Sequence, residues 1–231
     1  MSKNLINISD LNKIHIHEII DISKKIEENT YKEDLKRKKI GLIFEKPSTR
    51  TRLSFITGIY ELNGIPIEIN MDNLNISRNE SFIDTIKMFN LYLDCLIFRT
   101  NQHNKLKITS EYFDKPVINA LSEISHPCQI LSDYLTLKEI FNKENLIISW
   151  FGDTNNVLYS LIELATILDE ITVNVFTNNK ILEDNFSINK LKNIHLKNEI
   201  CKETIKKSDC IMTDVYNSMN DEFSQTKKDL L

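Results

Sequence analysis

Two kinds of apolar pattern alternate along this chain. Short apolar runs have the length and β-branched content of buried strands: Ile40-Gly41-Leu42-Ile43-Phe44, 95–98, Val117-Ile118-Asn119, Leu146–Phe151, Ile171–Phe176 and Cys210-Ile211-Met212-Thr213. Between them, apolar residues recur at helical spacing. Leu53, Ile56, Ile59 and Tyr60 follow the first run, Ile130, Leu131, Tyr134, Leu135 and Leu137 mark a helix near 129–141, and another helix is predicted over 155–168. Strands that feed helices predict an α/β fold, in which helices cover both faces of a parallel sheet. A polar break at 142–145 divides the pattern. The prediction is therefore two doubly wound parallel-sheet lobes, 1–142 and 143–231. Ligands of such sheets sit beyond the carboxyl ends of the strands, so the loops that follow these runs are where chemistry is to be sought.

Composition narrows the class without changing that picture. Apolar residues make up 41% and charged residues 27%, and no apolar run approaches the roughly 18 residues of a spanning helix, so a soluble protein with no membrane partner is expected. The opening Met1-Ser2-Lys3-Asn4-Leu5 lacks the apolar block of a secretory signal, which predicts a cytoplasmic location. The net charge is −4 and Lys and Arg are scattered, which argues against nucleic acid as the main partner. Cys95, Cys128, Cys201 and Cys210 show no C-x-x-C spacing and no clustering with histidine, so neither a zinc site nor a disulfide framework is suggested.

The most informative stretch is Phe44-Glu45-Lys46-Pro47-Ser48-Thr49-Arg50-Thr51-Arg52. It sets hydroxyls, main-chain N–H groups and guanidinium groups at the start of a helix. First-turn amides have no helical partner, the macrodipole favours negative charge there, and arginine matches two phosphate oxygens at once. The stretch reads as an anion trap, or more plainly as a helix whose N-cap is Ser48 or Thr49 beside solvated arginines. On residue type alone, His126 is equally a packed or capping histidine, and Gln129 equally an exposed polar residue.

Taken together, these segments resemble the aspartate and ornithine carbamoyltransferases. F-E-K-P-S-T-R-T-R, followed by Gly58 and Leu62-Asn63-Gly64, is similar to the family's carbamoyl phosphate signature; Phe98-Arg99-Thr100 resembles its second phosphate-side arginine, and His126-Pro127-Cys128-Gln129 its H-P-x-Q element. Gly152-Asp153-Thr154-Asn155-Asn156 resembles the ornithine enzymes' G-D-x-N-N, and Asp214-Val215-Tyr216-Asn217-Ser218-Met219 their D-x-W-x-S-M, with Tyr216 in place of Trp. The resemblance implies that Ser48, Thr49, Arg50 and Thr51 hold phosphate, that Arg99, His126 and Thr51 polarise the carbamoyl oxygen as the catalytic groups, and that Gln129 holds the carbamoyl amide. It implies that Asn156, Asp214, Ser218 and Met219 bind L-ornithine, and that Asn75 reaches a neighbouring subunit's phosphate site in a homotrimer. The expected reaction is carbamoyl transfer from carbamoyl phosphate to the side-chain amine of ornithine, giving citrulline in arginine biosynthesis, with no metal or organic cofactor. Putrescine or a modified ornithine is the alternative amine.

The family continues past the S-M element with an H-C-L-P motif and a later arginine that have no counterpart in these 231 residues. The second lobe is accordingly expected to be incomplete, with an open sheet edge. The alternative function is a truncated, inactive paralogue that binds carbamoyl phosphate or a partner chain without turnover.

Overall fold

A computed structural model describes residues 4–74, 80–141, 143–177, 191–197, 199 and 201–214. Two four-stranded sheets, every pairing parallel, account for the strand-like runs. In the first, β1 (Lys39–Phe44), β2 (Ile65–Ile69), β3 (Cys95–Arg99) and β4 (Val117–Leu121) lie in the order β2-β1-β3-β4. In the second, β5 (Leu146–Phe151), β6 (Ile171–Phe176), β7 (Ile194–Lys197) and β8 (Cys210–Met212) lie in the order β7-β6-β5-β8. Parallel strands need crossovers, and α2 (Arg50–Glu61), α3 (Phe82–Tyr92), α4 (His103–Tyr112), α6 (Asn156–Ile167) and α7 (Lys202–Lys207) supply them; α1 (Lys13–Glu27) and α5 (Pro127–Ile140) complete the α-helices among the described residues.

Alternation along β1 dictates the layering of the first lobe. Ile43 faces a core with Phe89 of α3 and Leu106 of α4, while Ile40 and Leu42 face the opposite side with Ile59 of α2. Helices thus cover both faces. Gly41 on β1 leaves room that its neighbours fill, since a Cβ there would come within 2.6 Å of Leu93 Cδ1.

The second core does not respect the chain order. Around Trp150, Ile148 and Leu161 it gathers Ile130, Leu131, Tyr134 and Leu137 of α5, and also Ile8, Leu11, Ile16 and Ile20 from the N-terminal segment. Polar contacts repeat the join: Glu163 on α6 accepts from the Ile8 and Ser9 amides at 2.9 and 3.3 Å, and Glu170 pairs with Lys13 at 2.7 Å. The two lobes are therefore held together by α1, α5 and α6, and the loops that follow β4 and β5 meet at that seam. Among the described residues no helix is long and apolar enough to cross a membrane.

Candidate active site

The anion-trap stretch folds as its residue types dictate. β1 ends at Phe44 and α2 starts at Arg50. Thr49 occupies the N-cap position with helical dihedrals (φ −91°, ψ −63°) and makes no side-chain cap bond, so its hydroxyl is not a plain N-cap. The first-turn amides of α2 keep their capacity for an incoming acceptor. Ser48 and Thr51 are half-buried, whereas Thr49 and Arg50 are exposed at the mouth.

Arg99 comes to this mouth from β3. The register between β3 and β4 shifts between Phe98 and Arg99, and such a bulge re-aims the side chain that follows it. The Nη1 group donates to Ser48 Oγ and to Thr51 Oγ1, both at 3.3 Å. Arg99 is buried, its Nε finds no acceptor among the described residues, and burial lowers its pKa. The loop itself is tied to β3 by Glu45. Its carboxylate accepts from the Thr100 hydroxyl and from Lys105 Nζ at 2.7 Å, and its main-chain N–H donates to the Arg99 carbonyl at 3.1 Å.

His126 occupies the N-cap position of α5, directly before Pro127. It is buried, and Nδ1 has no partner among the described residues. Burial, and secondarily the nearby Arg99 guanidinium, lower its pKa to about 4, so the imidazole is neutral at pH 7. Gln129, one turn on, is exposed and donates to Asp133 Oδ1 at 2.9 Å. Burial raises the pKa of that carboxyl, with the Gln129 bond working against it.

The second sheet presents its own residues at the seam. Gly152, just past β5, has φ +146°, a conformation suited to glycine. Asn155 caps α6 through Oδ1, which accepts from Val157 N and Leu158 N, and its Nδ2 donates to Asp214 Oδ2 at 2.5 Å. Asn156 reaches across the seam, donating from Nδ2 to the Ser122 carbonyl at 2.7 Å. Of the residues that the sequence singles out, Ser48, Thr51 and Arg99 are in direct contact. His126 stands within electrostatic reach of Arg99, and Asn156 is bonded to the loop that leads to His126. Gln129 is engaged with Asp133, and Asp214 is reached through Asn155 rather than through Asn156. Asn75, Ser218 and Met219 lie outside the described residues.

Two ties escaped sequence reasoning. One is the bond of Glu45 with Thr100 and Lys105, although a lone carboxylate in a cationic loop was a signal. The other is a buried hydroxyl and amide network of Asn119, Ser122, Ser125 and Ser160 around the His126 main chain, which includes bonds from Asn119 Nδ2 to the Ile6 carbonyl and from the His126 N–H to Ser160 Oγ.

Comparison with known proteins bears on the family and the fold. Residues 3–139 match the family described as aspartate/ornithine carbamoyltransferase, carbamoyl-P binding domain, and residues 144–230 match aspartate/ornithine carbamoyltransferase, Asp/Orn binding domain. The ornithine carbamoyltransferase of Archaeoglobus fulgidus is 33% identical over 228 residues, covering 95% of this chain and 74% of that protein. The crystal structure of anabolic ornithine carbamoyltransferase from Campylobacter jejuni subsp. jejuni superposes with a TM-score of 0.81 at 31% identity, covering 94% of this chain and 74% of that one. Aspartate transcarbamoylase from Trypanosoma cruzi, solved with aspartate and phosphate, superposes with a TM-score of 0.79 over 91% of this chain and 73% of that one; at 20% identity this speaks to the fold alone.

Proposed function

This chain belongs to the aspartate/ornithine carbamoyltransferase family, and on that footing we propose that it transfers the carbamoyl group of carbamoyl phosphate to the side-chain amine of L-ornithine, giving L-citrulline and phosphate. The observation that carries the reading is the meeting of buried Arg99 with Ser48 and Thr51 at the open start of α2, where hydroxyls, amides and a cation converge on one anion-sized place.

In this reading the phosphate group sits on Ser48, Thr49, Arg50 and Thr51, with Asn75 completing the site of a neighbouring subunit in a homotrimer. Arg99, His126 and Thr51 donate to the carbamoyl oxygen as negative charge gathers there, and Gln129 turns from Asp133 to hold the carbamoyl amide. A neutral His126 can act as a hydrogen-bond donor without adding a competing cation. Asp214, Ser218 and Met219 meet the α-amino and α-carboxylate groups of the amino acid, and Asn156 contacts it as well. The free side-chain amine attacks the carbamoyl carbon, the bond from that carbon to the phosphate oxygen breaks, and a proton leaves the nitrogen. Positioning and fixed dipoles carry the catalysis. The sequence divides into a carbamoyl phosphate lobe, 1–142, and an ornithine lobe, 143–231. Exposed Leu53 and Tyr60 on α2 and Leu91 and Tyr92 on α3 support assembly with further copies. Arginine biosynthesis in the cytoplasm is the setting the reading implies.

The amine is tested by offering L-ornithine, L-aspartate and putrescine in parallel with carbamoyl phosphate. Selective consumption of ornithine is expected, because of the three only ornithine has both an α-ammonium group for the Asp214 carboxylate and a second amine left to attack; preferential use of aspartate or putrescine would overturn the assignment.

A further inference from the structure

Ser160 stands one turn into α6, fully buried beside Leu158, Leu161, Ile162 and Leu164. A hydroxyl has one proton and two lone pairs. The proton goes to the Asn156 carbonyl at 2.9 Å, one turn back in the same helix. The oxygen is turned towards the other lobe, where it accepts the His126 main-chain N–H at 2.9 Å and lies 3.5 Å from Ser125 Oγ. His126 makes no side-chain cap bond at the start of α5. Its main chain is therefore anchored by a hydroxyl that the amine-side lobe carries. Asn156, four residues earlier and so on the same helix face, grips the Ser122 carbonyl of the same loop.

We propose that Ser160 is a positioning residue: by holding the His126 main-chain amide from α6, it sets the imidazole beside Arg99 and ties that placement to the seating of the amine-side lobe. What His126 does there rests on the carbamoyl-transfer reading; the positioning itself does not. Removing the acceptor leaves a buried N–H unpartnered and releases the loop that carries the ring. A displacement of about 1 Å at a reacting group costs on the order of a hundredfold in turnover. Among the described residues no hydrogen bond joins Ser160 to the phosphate cradle of Ser48 and Thr51, which should keep its shape.

The test compares the full chain with Ser160→Ala, Ser160→Cys, which fills the same space with a poor acceptor, and Ser160→Thr, which keeps the hydroxyl. Turnover with ornithine, the dissociation constant of inorganic phosphate and the NMR titration of the His126 imidazole are read, with His126→Gln assigning the resonance. In whichever of the Ala and Cys variants folds, kcat should fall roughly 10- to 100-fold while phosphate affinity stays within about twofold. The imidazole midpoint should climb from about 4 towards 6.5 as water reaches the ring. Ser160→Thr should restore both. A folded variant whose melting temperature falls while kcat and the midpoint stay put would overturn the proposal, and so would equal losses of kcat and phosphate affinity. Absence of turnover in the unaltered chain would sink the carbamoyl-transfer reading alone, because the imidazole midpoints still decide the positioning role.

Discussion

Replacing Arg99 by methionine should make the ligand-free protein more stable and weaken its response to phosphate. Arg99 is 5% exposed, none of the ion pairs among the described residues involves its guanidinium, and Nε is unpartnered among them. Two hydroxyls at 3.3 Å are its hydrogen-bond partners among the described residues. Burying an ion costs several kcal/mol after relaxation. Hydrogen bonds to a charged donor return about 1.5 kcal/mol each at the weak end of their range, which suits these long contacts, so about 3 kcal/mol comes back. Methionine fills much of the same volume without a charge and should raise stability by about 1–2 kcal/mol, or roughly 2–8 °C in melting temperature for a chain of this size. Phosphate at a hundred times the parent's dissociation constant should add about 2.7 kcal/mol to the unaltered protein and clearly less to the variant, which keeps Ser48, Thr49, Arg50 and Thr51 but loses the buried cation beside them. Thermal melts with and without inorganic phosphate at low salt read both effects. A variant that melts lower than the parent in the absence of anion, or that phosphate stabilises as much as the parent, would refute the reasoning.

Acid should weaken the fold through His126. Its folded pKa of about 4 lies below the ordinary 6.5, so the unfolded chain takes up the proton first. The contribution is complete above about pH 6.5 and is lost as pH falls towards 4, on the order of 3 kcal/mol in all. Burial lowers the pKa of His103 as well, with the same sign. Urea titrations of His126→Gln between pH 7 and 4 should show a flatter slope than the parent, and identical slopes would contradict the burial argument. Glu163→Ala removes the acceptor for the Ile8 and Ser9 amides, and should lower stability by about 1–3 kcal/mol in the same titrations; an unchanged urea midpoint would mean that the N-terminal segment does not lean on α6.

Legibility followed the range of the interactions. Strands β1 and β5 are mostly apolar because both faces are covered, and the start of α2 is written in adjacent residues, so its anion chemistry could be read locally. Strand β2 was missed: it is an edge strand, exposed in part and containing Pro66, and its pattern is correspondingly weak. Helix α1 escaped because its apolar stripe is narrow, with only Ile16 and Ile20 buried. What joins the site together is long-range. Glu45 meets Thr100 and Lys105 across separations of 55 and 60 residues, and Ser160 meets the His126 amide across 34. No local period encodes such pairings. They arise only once two sheets place the ends of their strands at a common seam.

The most direct test of the account is the reaction itself: citrulline and phosphate measured together from carbamoyl phosphate and L-ornithine, for the full chain and for Arg50→Ala. The two products should form in equal amounts from the full chain and be lost in the variant. Phosphate binding by the full chain with no citrulline formed, or citrulline formed equally by Arg50→Ala, would contradict it.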